Sequence, residues 1–258
     1  MNILEQLAEH AKERVEEKKK IKSLEQIKLE AMKLKKGDFE FEKALKKPRM
    51  SFICECKKAS PSKGIIAEDF DYLTIAKEYQ EAGADCISVL TEPKWFLGSD
   101  KYLEDIANTV DIPVIRKDFT VDEYMIYEAN VLGAKAVLLI CSILSEEQIK
   151  DYIRICDNLG ISALVETHEE AEVQMALRAG ARIIGVNNRN LKDFSVDTEN
   201  SKNLKKQVPK EVIFVSESGI KTSKDILALA EAGVDAVLVG ETLMKAKDKK
   251  AKLKELKG

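Results

Sequence analysis

Short apolar runs alternate with amphipathic stretches along most of the chain. Several of the runs are continuously apolar, which is typical of parallel strands covered on both faces. The pattern therefore predicts eight strands separated by helices. The runs are FICECK (52–57), CISVL (86–90), PVIRKDF (113–119), AVLLICS (136–142), ISALVET (161–167), RIIGVNN (182–188), EVIFVSES (211–218) and DAVLVG (235–240).

The segments between these runs carry signals for helix starts and helix ends. Capping-box patterns at Thr120-x-x-Glu123, Ser145-x-x-Gln148 and Thr167-x-x-Glu170 predict three starts. A repeated cassette, AGAD (82–85), LGAK (132–135), AGAR (179–182) and AGVD (232–235), places a Gly where the chain leaves a helix. Eight strand-helix units in one chain predict an α/β fold of the (β/α)8 TIM barrel type. A doubly wound open sheet is less favoured, because no Gly-x-Gly-x-x-Gly turn follows the first strand.

Residues 1–47 differ from the rest and predict an N-terminal helical extension that precedes a barrel domain at 48–258. The extension contains two charged amphipathic segments, the second beginning with a Ser23-x-x-Gln26 cap, and then the short segment FEFEKALKKP (39–48). It is either an extra helical layer packed on the barrel or a cover for the barrel mouth, and the pattern leaves both open. At the other end, the Lys-rich residues 245–258 are interpreted as a frayed, solvated helix.

Composition narrows the functional classes. Lys and Arg number 42 against 45 Asp and Glu, so the net charge of −3 calls for neither nucleic acid nor a membrane surface. The charged, amphipathic N-terminus resembles neither a signal peptide nor a membrane anchor. Five cysteines in apolar runs predict reduced thiols in a cytoplasmic protein. Two histidines leave little from which to build a zinc centre or a Ser-His-Asp triad, so no metal is predicted.

The first predicted strand carries the strongest chemical signal. Glu55 and Lys57 are two residues apart, so they point to one side of the strand, while Cys54 and Cys56 point to the other. A Ser-Pro-Ser-Lys-Gly loop of the kind that surrounds an anion follows. An acid and a base at the end of a buried strand are costly unless chemistry uses them.

Further polar residues stand at the ends of the later strands, where barrel active sites lie. A structural ion-pair network is the alternative to an active site, and it is less favoured because the opposite strand ends carry far fewer polar residues. The residues at the mouth are Lys117, Glu166, Asn187, Asn188, Arg189, Glu217 and Ser218.

Two glycine turns predict a phosphate site. SESGI (216–220) and LVGETL (238–243) place Gly219 and Gly240 after the last two strands, where backbone N–H groups and helix starts attract anions. Simple turn chemistry is the alternative. Nearby, Trp95 and Phe96 are interpreted as lining an aromatic pocket.

Three other polar residues are assigned away from the chemistry. His168 is interpreted as a surface residue. Arg116 and Asp118 flank Lys117 and are expected to point away from it, toward the helices.

Together these motifs resemble the indole-3-glycerol phosphate synthase family over nearly the whole chain. One departure is Asn190, where the family often has Asp, and it lies beyond the presumed catalytic positions. The motifs that carry the resemblance are ECKKASPSKG (55–64), SVLTE (88–92), WFLGS (95–99), RKDF (116–119), LLI (138–140), LVE (164–166), GVNNRNL (185–191), SESGI (216–220) and LVGETLM (238–244).

The resemblance implies a carboxy-lyase of tryptophan biosynthesis that acts on 1-(2-carboxyphenylamino)-1-deoxyribulose 5-phosphate. It implies ring closure onto a ketone, loss of carbon dioxide and loss of water, with no cofactor. Lys117 matches the family's general acid. Lys57, Glu55 and Glu166 match the groups for dehydration, and the division of roles among these three stays open.

The remaining matched residues are expected to hold the substrate. Asn187 and Ser218 are expected to orient the sugar hydroxyls, and Arg189 to clamp the carboxylate. A final set comprises the expected phosphate ligands Ser60, Gly219 and Gly240, with Phe96 and Glu217 as further substrate-binding residues.

Two rival functions are weighed against this one. Phosphoribosylanthranilate isomerase is another phosphate-binding barrel, but that reaction is commonly served by a Cys and Asp pair, whereas Glu55 and Lys57 occupy the first strand here. A catalytically silent barrel is disfavoured because nothing but chemistry requires Glu55, Lys57, Lys117 and Glu166 together. The only partner expected is a small phosphorylated substrate, and the expected state is a monomer or weak homo-oligomer.

Overall fold

A computed structural model describes residues 3–190 and 194–258. Eight parallel strands form a closed barrel, in which the first strand pairs with both its neighbour along the chain and the last strand. Each predicted apolar run contains one of these strands, so the predicted TIM barrel is confirmed. The barrel strands are β1 Ser51–Cys56, β4 Cys86–Leu90, β5 Val114–Lys117, β6 Ala136–Ile140, β7 Ser162–Thr167, β8 Ile183–Asn187, β9 Ile213–Glu217 and β10 Ala236–Val239.

Helices surround the barrel, and a small antiparallel hairpin, β2 Ala59–Ser60 with β3 Gly64–Ile65, follows β1. A single 3₁₀ turn at Cys141–Ile143 follows β6. The helices are α1 Ile3–Ile21, α2 Leu24–Lys33, α3 Glu40–Leu45, α4 Tyr72–Glu81, α5 Asp100–Ala107, α6 Glu123–Val131, α7 Glu146–Leu159, α8 Glu170–Arg178, α9 Glu199–Lys205, α10 Ser223–Glu231, α11 Glu241–Met244 and α12 Lys249–Lys257.

Two of the four predicted capping boxes are present. The hydroxyls of Ser23 and Ser145 each accept a hydrogen bond from the backbone N–H of the Gln three residues later. The side-chain oxygen of that Gln accepts in turn from the backbone N–H of the Ser. The other two predictions are wrong. Asp122 rather than Thr120 caps α6, and Thr167 belongs to β7, where its hydroxyl donates to the Gly185 carbonyl.

The glycine cassettes end helices as predicted. Gly83, Gly133, Gly180 and Gly233 adopt φ values between +81° and +91°. This left-handed conformation is nearly free of strain only for glycine. It turns the chain from the end of each helix toward the next strand.

The core has two layers that follow the alternation of each strand. Inward side chains such as Ile53 and Ile115 fill the barrel, whereas outward ones such as Cys54 and Cys56 pack under the helices. Glu55 shares the inward face with Ile53, which places its carboxyl group at the mouth.

The N-terminal extension packs on the barrel at three places. Helix α1 is joined to the mouth-side loops by Arg14, which donates 2.7 and 3.1 Å hydrogen bonds to Asp118. Helix α2 packs on α6. Helix α3 closes the opposite end of the barrel, where Phe41 and Leu45 are fully buried against the inward face of the strands.

The C-terminal helix corrects an expectation. Residues 249–257 form α12, whose Leu253 and Leu256 are fully buried against α4 and α10. Lys257 also faces the barrel, where it donates to the Gly83 carbonyl at 2.7 Å, so the helix is packed rather than frayed. Among the described residues, no helix is long and apolar enough to cross a membrane.

Candidate active site

A cavity of about 720 Å³ opens at the carboxyl ends of the strands. Twelve of the residues that the sequence places at the mouth lie on its walls, although they come from seven separate segments. Asn188 does not line the cavity, because its buried side chain donates to Ser216 Oγ at 3.1 Å and accepts from Ser201 Oγ at 2.8 Å. The cavity is lined by Glu55, Lys57, Ser60, Phe96, Lys117, Glu166, Asn187, Arg189, Glu217, Ser218, Gly219 and Gly240.

Lys117 forms the centre of the charged cluster. Its Nζ donates hydrogen bonds of 2.7 Å to Glu166 Oε2 and 3.0 Å to Glu217 Oε2. Burial alone lowers the pKa of Lys117, but the negative charges of Glu166, Glu217 and Glu55 outweigh it and raise the pKa above its ordinary value. Lys117 is therefore an ammonium ion at neutral pH and can act as a proton donor.

The two carboxylates around Lys117 ionise differently. Burial raises the pKa of Glu166, but Lys117 and His168 outweigh that effect, so the pKa lies below its usual range. Burial also raises the pKa of Glu217, and the nearby Glu166 and Glu55 charges add to it, so that the pKa reaches about 7 despite Lys117. The cluster thus combines an ionised carboxylate with one that titrates near neutrality.

Glu55 and Lys57 form a second ion pair on the same wall. Lys57 Nζ lies 2.5 Å from Glu55 Oε1, and the Glu55 side chain is almost fully buried. Gly240 makes room for the pair, because a Cβ there would collide with Glu55 Oε1 and lie 2.9 Å from Lys57 Nζ. The predicted phosphate ligand Gly240 therefore has a packing role beside the pair.

Asn187 joins the cluster to the β9 turn. Its Nδ2 donates to Glu166 Oε1 at 3.2 Å, while its Oδ1 accepts from Ser218 Oγ at 2.9 Å. The same Oδ1 accepts from the Arg189 backbone N–H at 3.1 Å. The Arg189 side chain lines the cavity, where its guanidinium donates to the Phe194 carbonyl at 3.3 Å and lies 3.5 Å from Glu241.

The turn after β9 contains two successive residues with positive φ. Ser218 and Gly219 have φ values of +68° and +87°. A Cβ at Gly219 would lie 2.7 Å from methyl groups of Thr198 and Val196. Lys63, Lys221 and Lys245 line the same end of the cavity.

The aromatic prediction is right for one residue of the two. Phe96 lines the cavity, with its ring centroid 6.1 Å from that of Phe119. Trp95 turns away and packs edge-on against His10. Arg116 and Asp118 point outward as expected, into a buried network in which Arg116 donates 2.7 and 2.8 Å bonds to Glu128 and Asp100.

His168 corrects the sequence interpretation of a surface residue. Its side chain is 19% exposed, and its Nε2 lies 3.4 Å from Glu166 Oε1. The sequence held a partial signal, because His168 follows Glu166 by two positions and comes directly after the last residue of β7. Within the described residues no group of three His, Cys, Asp or Glu side chains could hold a metal ion. The absence of a metal or cofactor stays a prediction.

The fold and site define a (β/α)8-barrel enzyme whose mouth brings two lysines and three carboxylates together. Comparison with known proteins narrows this class. A family model described as indole-3-glycerol phosphate synthase matches residues 4–256. The indole-3-glycerol phosphate synthase of Ruminiclostridium cellulolyticum is 57% identical over 257 residues, covering 99% of both chains. That of Lachnoclostridium phytofermentans is 54% identical over 267 aligned residues, covering 99% of this chain and 98% of the relative.

The chain belongs to the indole-3-glycerol phosphate synthase family. A solved structure of 3-hexulose-6-phosphate synthase is similar in fold, with a TM-score of 0.66 and 18% identity over 81% of this chain and 98% of that one. At this identity it supports the barrel architecture alone. Leu191, the last residue of the predicted GVNNRNL motif, lies outside the described residues.

Proposed function

We propose that the barrel mouth closes an indole ring on a phosphorylated anilino sugar, the reaction of the family to which the chain belongs. The substrate is 1-(2-carboxyphenylamino)-1-deoxyribulose 5-phosphate and the product is indole-3-glycerol phosphate, an intermediate of tryptophan biosynthesis. Carbon dioxide and water leave, so the enzyme is a carboxy-lyase.

The ammonium group of Lys117 between two buried carboxylates carries this proposal. Attack of the aromatic ring on the ketone builds negative charge on the ketone oxygen, which a positioned general acid relieves by donating a proton. Lys117 is held in the donor state by Glu166 and Glu217 and faces the cavity. The new carbon–carbon bond then leaves a cationic, dearomatised ring.

Decarboxylation needs no external electron acceptor in this scheme. The electron pair of the breaking bond to the carboxylate carbon flows into the cationic ring and restores its aromaticity. The protein has only to hold the carboxylate in place, and the bidentate donor geometry of Arg189 suits that task. The expectation that no cofactor takes part follows from this electron balance.

Dehydration needs an acid for the departing hydroxyl and a base for a proton on the adjacent carbon. Lys57 with Glu55 on one wall and Glu166 on the other are the groups proposed for these roles. Holding reactant and catalytic groups in one closed site replaces bimolecular encounters with positioned ones, which contributes several kcal/mol to lowering a barrier (roughly 7–11 at best).

The proposed phosphate position is the lysine-lined end of the cavity. Ser60, Gly219 and Gly240 supply a hydroxyl and backbone N–H groups there, and Asn187 with Ser218 face the sugar hydroxyls. Inorganic phosphate is expected to compete with the substrate. Bulk introduced at Gly219 is expected to raise KM, because the left-handed turn and the space beside Val196 would both be lost.

The test is a fluorescence assay for the indole product, with carbon dioxide measured in parallel. We expect both products to appear in equal amounts. Isomerisation without release of carbon dioxide would favour a phosphoribosylanthranilate isomerase, and tight binding without conversion would favour a silent barrel.

We also propose that the protein works in the cytoplasm as a monomer or weak homo-oligomer. The cysteines support the first part, because all five are free and buried, as in a reducing compartment. Size measurement in solution tests the second part.

A further inference from the structure

His168 lies between two carboxylates at the edge of the mouth. Its Nδ1 is 3.1 Å from Glu172 Oε2, and its Nε2 is 3.4 Å from Glu166 Oε1. Ser142 Oγ lies 3.3 Å from the same Nδ1. The ring therefore bridges α8 to the carboxylate that accepts a hydrogen bond from Lys117.

The ring is held in place by contacts that do not depend on Glu166. The backbone N–H of His168 donates to Glu172 Oε2 at 2.6 Å, and its carbonyl accepts from Asn200 Nδ2 at 3.0 Å. Glu172 is itself fixed by a hydrogen bond from Ser142 Oγ. Backbone and ring are thus pinned from α8, from α9 and from the turn after β6.

The protons on the ring follow from its neighbours. An ionised carboxylate can only accept hydrogen bonds, so the contact with Glu172 requires a proton on Nδ1. A neutral imidazole carries one proton, and its Nε2 would then present a lone pair to Glu166 Oε1. Nε2 is buried and has no hydrogen-bond partner of good geometry within the described residues. A proton on Nε2 would turn the 3.4 Å contact from one between two lone pairs into an attraction between the imidazolium charge and the Glu166 carboxylate.

We propose that His168 is a positioning residue for Glu166, which as an imidazolium held by Glu172 fixes the Glu166 carboxylate and keeps it ionised. Glu166 then has a cation beside each oxygen, Lys117 at Oε2 and His168 at Oε1. Asn187 also donates a hydrogen bond to Oε1. Such a carboxylate is ready to accept a proton at neutral pH.

The charges around the ring agree with this assignment. Burial lowers the pKa of His168, but the hydrogen bond to Glu172 and the charges of Glu166, Glu172 and Glu217 outweigh it and raise the pKa above its ordinary value. The groups that face the ring are Glu166 from β7, Glu172 from α8, Glu217 from β9 and the uncharged Ser142, with Lys117 beyond Glu166.

The first test measures protonation and needs no catalysis. The chain has two histidines, so the imidazole NMR signals are few and His168→Gln assigns them. We expect His168 to titrate above about 6.5, the value of an unperturbed imidazole. Glu166→Gln should lower this midpoint by about one pH unit, because it removes the negative charge 3.4 Å from Nε2 that favours the imidazolium form. Glu169→Gln, the same change at an exposed neighbouring position, should move it much less.

Protonation data alone can overturn the proposal. A His168 midpoint at or below 6.5, or one that Glu166→Gln leaves unmoved, would show that the ring does not stand as a cation against Glu166. Glu172→Gln is a second variant if Glu166→Gln folds poorly, and it should also lower the midpoint, because it removes the charge at Nδ1.

The second test rests on the proposed function. In the pH profile of kcat, His168→Gln should shift the acid limb upward by about one unit and lower kcat about tenfold at neutral pH, with little change in KM. His10→Gln, which removes the other carboxylate-paired histidine, should leave the limb in place. A fall in kcat without a shift of the limb would reduce His168 to a structural role. Absence of turnover in the unmodified enzyme would contradict the proposed function, whereas the NMR test of His168 protonation does not depend on turnover.

Discussion

Glu166 and Glu217 bond the same ammonium group from two strands, yet their carboxyl pKa values shift in opposite directions. The difference lies in their second oxygens. Glu166 Oε1 meets Asn187 and His168, whereas Glu217 Oε1 is buried without a hydrogen-bond donor in the described part of the chain. Gly185 makes room for that oxygen, because a Cβ there would collide with it.

Replacing Glu217 with Gln should stabilise the protein above neutral pH while impairing its activity. The folded pKa of about 7 lies above the ordinary 4.5, so the native state resists ionisation of this group that the unfolded chain undergoes freely. The gain should be near zero below pH 4.5, grow as pH rises and level off above pH 7 at about 3 kcal/mol, from 2.5 pKa units at about 1.36 kcal/mol each. Urea unfolding at several pH values measures it.

Glu166→Gln is the matched control for that experiment. The folded pKa of Glu166 is lowered, so its contribution to stability is present above the unfolded pKa and is lost as pH falls through the folded value. The Gln variant should therefore be less stable than the parent at neutral pH. The same sign of change in both variants would contradict the assignment of the two carboxylates.

Gly240→Ala should lower kcat without a large loss of stability. The added methyl group would collide with Glu55 and crowd Lys57, so the pair must move away from its place in the mouth. A displacement of about 1 Å in such groups costs as much as 100-fold in rate. Steady-state kinetics by indole fluorescence measure the loss.

Gly180→Ala separates this effect from the general cost of losing a glycine. Gly180 has a φ of +88° and open space around it, far from the mouth residues. The variant should lose about 1–2 kcal/mol of stability through backbone strain and keep its kcat. If both variants lost kcat alike, crowding of the Glu55–Lys57 pair would not be the cause.

Leu45→Ala tests the part of the extension that closes the barrel. Leu45 is fully buried at the closed end, so truncation should cost about 2–5 kcal/mol. The mouth lies at the other end, and kcat at 25 °C should hold. Leu29→Ala, at a position 61% exposed on α2, should change the unfolding free energy by less than about 0.5 kcal/mol.

That experiment also bears on whether residues 1–47 cover the mouth. None of the described residues of the extension lines the cavity. No contact in the described part of the chain therefore supports the interpretation that the extension covers the mouth. Deleting the whole segment would open the barrel floor at Phe41 and Leu45 and confuse a loss of folding with a loss of affinity. The division into two domains at residue 47 stays a prediction.

The strands could be predicted from the sequence because their apolar runs are the same residues that the fold buries. A short, continuously apolar run such as AVLLI at 136–140 predicts a buried strand once a helix-ending glycine, here Gly133, comes shortly before it. Helix starts were less certain. At 120–123 and 167–170 more than one polar residue could cap the helix that follows. Asp122 rather than Thr120 caps α6, and Thr167 stays in β7 because its hydroxyl bonds the Gly185 carbonyl of the next strand.

The site was predictable as a set of strand ends but not as a network. The alternation of β1 already put Glu55 with Lys57, and the repeat put Lys117 and Glu166 at the same mouth. The pairing of Lys117 with both Glu166 and Glu217, and the role of Gly240 beside Glu55, depend on barrel closure between strands distant in sequence. The buried leucines of α12 were hidden by the lysines around them.

Lys117→Met tests the central claim most directly, because Met is an unbranched side chain only one atom shorter than Lys and has no proton to donate. Turnover is followed by indole fluorescence, and product binding by titration confirms that the mouth is still formed. The account predicts a fall in kcat of about 10²–10⁴-fold with product binding retained. Turnover within a few-fold of the parent enzyme would contradict it.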